Sequence, residues 1–435
     1  MLRASPYDRE IAALAIPALA TLIAEPLYVL ADTAVVGRLG TEELAGLAVA
    51  SSVLLLVNAV FVFLAYGTTG TVARLIGAGR PREALDHTIA SLWVAAGAGT
   101  VVAVVLFGLA PDVLALLGAE GRVAEQGLIY LRVSLPGVPF LLINLAAVGY
   151  LRGMRDTRTP LVITAVSAAS NLIIELVLIF GLGYGIGASA LATVIAQIGA
   201  AAAYLRPIIR EARRRSVTMR PHAGAALVLA RGGVALVVRS AALRGALVLA
   251  TAAAARMGTA DVAAHQIAYE IWALAALALD AVAIAGQALT GHHLGAGVVN
   301  KARGAAERMI QIDVVVGAVI GILLLAGSQV LPRIFTTDET VVDLAAFVLI
   351  FVALQQPLNG LVFALDGVLI GAGDLAWLAA AMVVSALLFA IAAGVIIDSG
   401  LGLGALWAAI TAFLASRAVA LVIRFRSGAW LVTGA

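Results

Sequence analysis

The segment RLGTEELAGLAVA, residues 38–50, recurs 218 positions later as RMGTADVAAHQIA, residues 256–268. Three further matches keep the same offset: LIGAG at 75–79 with HLGAG at 293–297, Pro139 with Pro357, and GMRD at 153–156 with GAGD at 371–374. One register held across most of each half is hard to obtain by chance and indicates an internal repeat. The sequence therefore predicts two related halves.

The composition places both halves in a membrane. Of the 435 residues, 63% are hydrophobic and 12% are charged, whereas a typical soluble domain carries about 25% charged residues. A transmembrane helix needs about 20 mostly apolar residues, and twelve such runs are predicted: 11–36, 44–69, 88–110, 126–150, 160–181, 187–205, 227–255, 262–290, 311–332, 341–370, 376–397 and 402–423. We predict an all-α polytopic membrane protein.

Six spans per half give both halves the same orientation, so they should form two six-helix bundles related by a pseudo-two-fold axis along the membrane normal. The predicted domains are an N-terminal lobe (1–205), a basic cytoplasmic linker (206–224) and a C-terminal lobe (225–435). Most arginines fall on one side if the N-terminus lies inside, which predicts cytoplasmic termini. We expect a multi-pass protein of the cell (inner or plasma) membrane, in contact with the lipid bilayer.

Several function classes are disfavoured. The chain has no cysteine, which excludes disulfides, thiolate metal sites and cysteine nucleophiles. It has no Walker A lysine motif and no serine–histidine pattern, and its net charge of +3 gives no reason to expect nucleic acid. We expect neither an enzyme nor a bound organic cofactor.

Ionisable residues inside spans are costly and indicate function. Asp32 in span 1 and Glu175 in span 5 lie near the outer ends of outward-running helices, and Thr193 in span 6 lies at a matching depth. At 1.5 Å rise per residue, that depth is roughly 6–9 Å below the outer boundary. Asn171 precedes Glu175 by four residues and shares its helix face.

These four side chains offer hard oxygen ligands that could bind a proton or a small cation such as Na⁺. Two neighbouring carboxylates in a low-dielectric site do not both stay ionised. Two alternatives stay open from the residues alone. Asp32 could cap a helix end among the lipid headgroups, and Glu175 could make a structural hydrogen bond to a neighbouring helix.

Span 1 carries a second acid and two prolines. Glu25 precedes Asp32 by seven residues and lies on roughly the same helix face. Pro17 and Pro26 each remove a backbone hydrogen bond and can kink the helix. We predict that Glu25 and Pro26 belong to the substrate pathway or to coupling; static kinks are the alternative.

The second half carries different charges. Matching of depths in the membrane places Arg239 level with Asp280 and Arg244 near Glu270. We predict that these are structural ion pairs, which would offset the desolvation cost of an unpaired charge. Glu270 is also a candidate for the substrate pathway or for coupling, and Asp366 is a further acid within span 10. The repeat places Ala250 and Ala393 where the first half has Asp32 and Glu175. The halves therefore share a scaffold, and one specialised cation site is expected.

Three stretches, EPLYVLADTAVVGRLGTEELAGLA, AAHQIAYEIWALAALALDAVAIAGQAL and FALDGVLIGAGD, resemble the DinF-type branch of the MATE (multidrug and toxic compound extrusion) transporters. The resemblance covers nearly the whole chain. It implies a secondary active antiporter that exports bulky, often cationic amphipathic compounds against H⁺ or Na⁺ influx by rocker-switch alternating access. It also implies a small-molecule organic substrate, with H⁺ or Na⁺ as the coupling ion; we expect a monomer.

The same resemblance implies a cation site built from an aspartate in span 1, an asparagine and an acid in span 5, and a threonine in span 6. These map to Asp32, Asn171, Glu175 and Thr193. The span 5 acid of the family is an aspartate, and the glutamate here favours H⁺ over Na⁺. A lipid-linked precursor flippase with a basic lateral portal, or an organic-anion exporter with a basic cavity, are the alternatives on the same scaffold.

Overall fold

The computed structural model describes residues 5–220 and 223–434. For residues 223–232 it describes the backbone only. Those ranges contain no β-strand and twelve helices long and apolar enough to cross a membrane, which confirms the predicted fold class. The helices are α1 Asp8–Val36, α2 Thr41–Gly77, α3 Pro81–Leu116, α4 Gly121–Gly153, α5 Arg158–Gly181, α6 Gly187–Arg214, α7 Ala223–Met257, α8 Thr259–Gly295, α9 Val299–Gly327, α10 Glu339–Gly371, α11 Leu375–Asp398 and α12 Leu403–Ser427.

Several helices extend beyond the predicted apolar runs. The sixth helix continues to Arg214 rather than ending at residue 205, and α9 begins at Val299 rather than at residue 311. The extra turns carry arginine, lysine and glutamate. Long basic side chains can keep their charge in water while their stems cover apolar surface. A helix can therefore extend several turns beyond the apolar segment from which it was predicted.

Three helices are locally irregular. The second helix is interrupted at Val62, and α4 contains a 3₁₀ turn at Leu135–Gly137. The fifth helix ends in a π-helical turn, Val177–Gly181. Turns of this kind are rare and are found frequently at functional sites, and this one begins two residues after Glu175.

The helices form two compact units. The N-terminal unit comprises Ala20–Gly233, and the C-terminal unit comprises Met1–Leu19 with Val234–Ala435. The start of α1 thus packs within the C-terminal unit. There Arg308 donates two hydrogen bonds to Asp8, with Nε–Oδ1 at 2.5 Å and Nη2–Oδ2 at 2.8 Å.

The internal repeat reappears as matching glycine contacts inside each unit. In the N-terminal unit, a Cβ on Gly149 would lie 2.6 Å from the carbonyl oxygen of Ala65. In the C-terminal unit, Gly367 faces the carbonyl oxygen of Ala283 in the same way. Gly367 lies 218 positions after Gly149, and Ala283 lies 218 positions after Ala65. The same correspondence relates two more contacts, Gly99 with Pro139 and Gly317 with Pro357. Small residues at these positions let helix backbones approach closely.

The contact between Gly367 and Ala283 allows a prediction about the stability of the folded protein. Gly367→Ala should lower the free energy of unfolding by about 1–3 kcal/mol. The new methyl group would overlap the backbone of α8 and push α8 and α10 apart. Gly394→Ala, in α11, is the matched control, since a Cβ there would meet no atom within 4 Å. Thermal unfolding of both variants in detergent checks this; equal melting temperatures for the two would contradict the close packing.

Candidate functional site

Helices α1 and α6 meet through Asp32. The Ser189 hydroxyl donates a hydrogen bond to Oδ1 of Asp32 at 2.5 Å. Ser189 is fully buried and Asp32 is 5% exposed. The carboxylate therefore lies inside the N-terminal unit.

Helices α5 and α6 meet through Thr193, whose hydroxyl bonding capacity is fully used. It accepts a hydrogen bond from Nδ2 of Asn171 at 3.2 Å and contacts the Tyr28 hydroxyl at 2.7 Å. It donates its one proton to the Ser189 carbonyl oxygen at 3.2 Å. A hydroxyl has one proton and two lone pairs, so Tyr28 must be the donor in its pair. Thr193 then has no lone pair left for a cation in this conformation.

The Glu175 carboxylate is the unsatisfied group of the site. It is fully buried, and neither of its oxygens accepts a hydrogen bond from a described residue. It lies close to Asp32 and Ser189, without hydrogen-bond geometry to either. An ionised carboxylate without donors is costly in a protein interior. The arrangement is therefore suited to take up a positive charge, either a proton or a small cation.

The structure thus brings together all four residues that the sequence grouped, and their role as a cation site stays a prediction. It adds Tyr28 and Ser189. Both lie four residues before a grouped residue on the same helix, Tyr28 before Asp32 and Ser189 before Thr193. That spacing puts each pair on one helix face, so it is the signal by which the sequence could have revealed them.

The other predicted residues of α1 lie apart from these bonds. Glu25 is at the exposed surface of the N-terminal unit, where Nδ2 of Asn58 approaches its Oε1 at 3.4 Å. Pro17 and Pro26 lie inside a helix that continues unbroken from Asp8 to Val36. Their proposed part in coupling stays a prediction.

In the C-terminal unit two arginines bond to Asp366, and the predicted pairing of Arg239 with Asp280 stays a prediction. Nη2 of Arg239 donates to Oδ2 of Asp366 at 2.5 Å, and Nη2 of Arg417 donates to the same oxygen at 2.7 Å. Asp366 and Arg417 are 7% and 4% exposed. Depth matching gave neither contact, because depth alone says nothing about which helices are adjacent. Helix α10 contacts α8, α9 and α12, which makes its acid a central partner.

The predicted ion pair between Arg244 and Glu270 does not occur among the described residues. Glu270 accepts a hydrogen bond from Nε2 of Gln266 at 2.8 Å, one helical turn before it. Arg244 is exposed, and within the described ranges no ion pair joins it to Glu270. A local i,i+4 contact has replaced the predicted contact between helices.

Comparisons with known proteins agree with this fold. The MatE family model matches residues 17–177 and 236–396, two segments offset by 219 residues. Protein DETOXIFICATION 44, chloroplastic, of Arabidopsis thaliana is 34% identical over 97% of this chain and 83% of its own length. DNA damage-inducible protein F of Escherichia coli (strain K12) is 27% identical over 97% of this chain and 94% of its own.

Among solved structures, the crystal structure of MATE in the bent conformation matches with a TM-score of 0.88 at 21% identity. It covers 98% of this chain and 95% of that chain, and at this identity the likeness concerns the fold. The double match of the family model follows the internal repeat, with one copy in each half of the sequence. The chain belongs to the MATE family, whose members are membrane transporters of multidrug and toxin efflux.

Proposed function

We propose that the chain exports bulky, often cationic amphipathic compounds in exchange for H⁺. The observation that carries this is the Glu175 carboxylate, which is fully buried beside Asp32 and accepts no hydrogen bond from the described part of the chain. Such a pair holds a proton more readily than two negative charges. A proton that arrives from outside and leaves inside can drive an organic compound outward.

The choice of H⁺ over Na⁺ rests on the oxygens available. The hydroxyl of Thr193 is saturated by Tyr28, Asn171 and the Ser189 carbonyl. The Asn171 side-chain oxygen and the two Glu175 oxygens are buried and have no hydrogen-bond partner among the described residues, so they would be the groups to hold Na⁺. A proton needs only the carboxylates, so H⁺ demands less rearrangement of the bonds in this site.

Exchange of the proton has to change the shape of the N-terminal unit. Tyr28 and Asp32 both lie on α1 and both bond to α6. Loss or gain of charge at Asp32 and Glu175 alters these contacts, and prolines in α1 give that helix places to bend. We propose rocker-switch alternating access, a monomer in the plasma membrane, and cytoplasmic termini, which the distribution of arginines favours.

A second candidate substrate class is favoured by the C-terminal unit. Two arginines, Arg239 and Arg417, come together at the carboxylate of Asp366, so basic side chains are concentrated there. Organic anions would be attracted to such a site. Export of a carboxylate compound is therefore the alternative to export of a cation.

Separately imposed gradients test both proposals. In proteoliposomes, an H⁺ gradient should drive uptake of a fluorescent organic cation at equal Na⁺ concentrations, because the carboxylate pair binds the proton. An Na⁺ gradient at equal pH should drive none. Vesicles treated with a protonophore are the control. Uptake driven by Na⁺ alone would overturn proton coupling, and coupled transport of a dicarboxylate in place of the cation would favour the second candidate.

A further inference from the structure

A buried carboxylate outside the site described above lies at the midpoint of α9. Asp313 is fourteen residues from each end of the helix, Val299 and Gly327. It is fully buried, and neither of its carboxylate oxygens makes a hydrogen bond within the described residues. No bond proposed above for coupling involves it.

Among the side chains that the structure describes, no cation forms an ion pair with Asp313. Its backbone is in close contact with Gly360 of α10. The buried polar residues nearest to Gly360 along that helix are Gln356 and Asn359, both uncharged and 3.4 Å apart between Oε1 and Nδ2. From α8, the charged group that acts on Asp313 is the carboxylate of Asp280, which adds repulsion.

Three arginines of this unit that lie near α9 and α10 form ion pairs with other acids. On α9 itself, Arg308 lies five residues before Asp313 and bonds to Asp8 at the start of α1. The arginines that reach the interior next to α10, Arg239 and Arg417, bond to Asp366. With respect to the described side chains, an ionised Asp313 would therefore be a buried charge without a paired cation.

The internal repeat shows that the scaffold does not need an acid at this position. The residue 218 positions earlier is Ala95, which is also fully buried. The neighbouring contact is the same in both units, since Gly99 packs on Pro139 as Gly317 packs on Pro357. The carboxylate of Asp313 is thus an addition to a position that an alanine fills in the other unit.

We propose that Asp313 is a second proton-binding site, which carries a bound proton at neutral pH in this conformation. An isolated buried charge destabilises the folded protein even after the surrounding structure relaxes, and repulsion from Asp280 adds to that destabilisation. Protonation removes both. This site resembles the one at Asp32 and Glu175, because each unit has a buried acid where the repeat places an alanine in the other unit.

Release of this proton during transport rests on the function proposed above. Proton binding itself does not, because it follows from burial and charge in the structure. If both hold, each export cycle moves a proton from Asp313 in addition to the one bound between Asp32 and Glu175. Two measurements separate these statements.

The first measurement is infrared spectroscopy of the purified full-length protein at neutral pH. The wild type should show the carbonyl stretch of a protonated carboxylic acid, and Asp313→Asn should lose part of that band because an amide cannot carry the proton. Asp343→Asn, at an exposed position of the same unit, is the control and should leave the band unchanged. An identical band in wild type and Asp313→Asn would overturn the proposal.

The second measurement counts protons released when a fluorescent organic cation binds to the protein in weakly buffered detergent solution. Asp313→Asn and Asp313→Ala should each release one proton fewer per transporter than the wild type; the alanine variant copies the Ala95 position and guards against a misfolded asparagine variant. Equal release by all three would overturn the role in transport. No release by the wild type would instead overturn the proposed function, and the infrared band would still decide on Asp313.

Discussion

Asp32→Asn should abolish substrate uptake driven by an H⁺ gradient in proteoliposomes. The substitution removes the exchangeable proton from the carboxylate pair. It preserves an oxygen that can accept the Ser189 hydrogen bond, now 2.5 Å long, so the contact between α1 and α6 should persist. Because coupling depends on a change of charge at this position, the expected loss is complete.

The control for that variant is Asp112→Asn, which changes an exposed acid in α3 and should transport as the wild type does. Binding of the substrate to detergent-purified Asp32→Asn, followed by fluorescence, shows whether the protein is folded. Undiminished H⁺-driven uptake by folded Asp32→Asn would remove Asp32 from the mechanism.

Asp366→Ala should destabilise the protein by about 3–5 kcal/mol, because it removes the carboxylate that the buried Arg417 and the largely buried Arg239 share. Arg239 and Arg417 both bond to the lost carboxylate. Glu83→Ala removes the partner of Arg80 in an ion pair that is about half exposed, and it should cost about 0–1 kcal/mol. Unfolding midpoints in detergent compare the two variants.

A triple variant separates the burial of charge from the loss of packing. Asp366→Leu combined with Arg239→Met and Arg417→Met replaces the three charges with apolar side chains, and similar replacements are often neutral or stabilising. It should recover most of the stability that Asp366→Ala loses. Equal instability of the two variants would mean that packing at this position, and not uncompensated charge, sets the loss.

The fold was largely predictable because the bilayer imposes it. Twelve apolar runs and one offset were enough to predict the helices and the repeat, since backbone groups in lipid must bond within a helix. The helix ends were less predictable. Counting from residue 311 put Asp313 at the edge of a span, whereas α9 begins at Val299. Because of that difference, the sequence did not indicate that Asp313 is the most buried acid of the C-terminal unit.

The candidate sites were predictable to different degrees. The grouping of Asp32, Asn171 and Glu175 followed from depth and from i,i+4 spacing, which are properties of single helices. The partners of Arg239 did not follow, because they depend on which helices are adjacent. Arg417 lies within a predicted span, and its contact with Asp366 is made between α12 and α10, which no spacing within one helix reveals.

The central claim is that the carboxylates of Asp32 and Glu175 exchange a proton for the exported compound. The most direct measurement is the internal pH of proteoliposomes in which only a gradient of organic cation is imposed. Wild-type vesicles should move protons against the flow of the compound, and Glu175→Gln vesicles should move none. Flow of the compound through wild-type vesicles at constant internal pH, with or without Na⁺, would contradict the account.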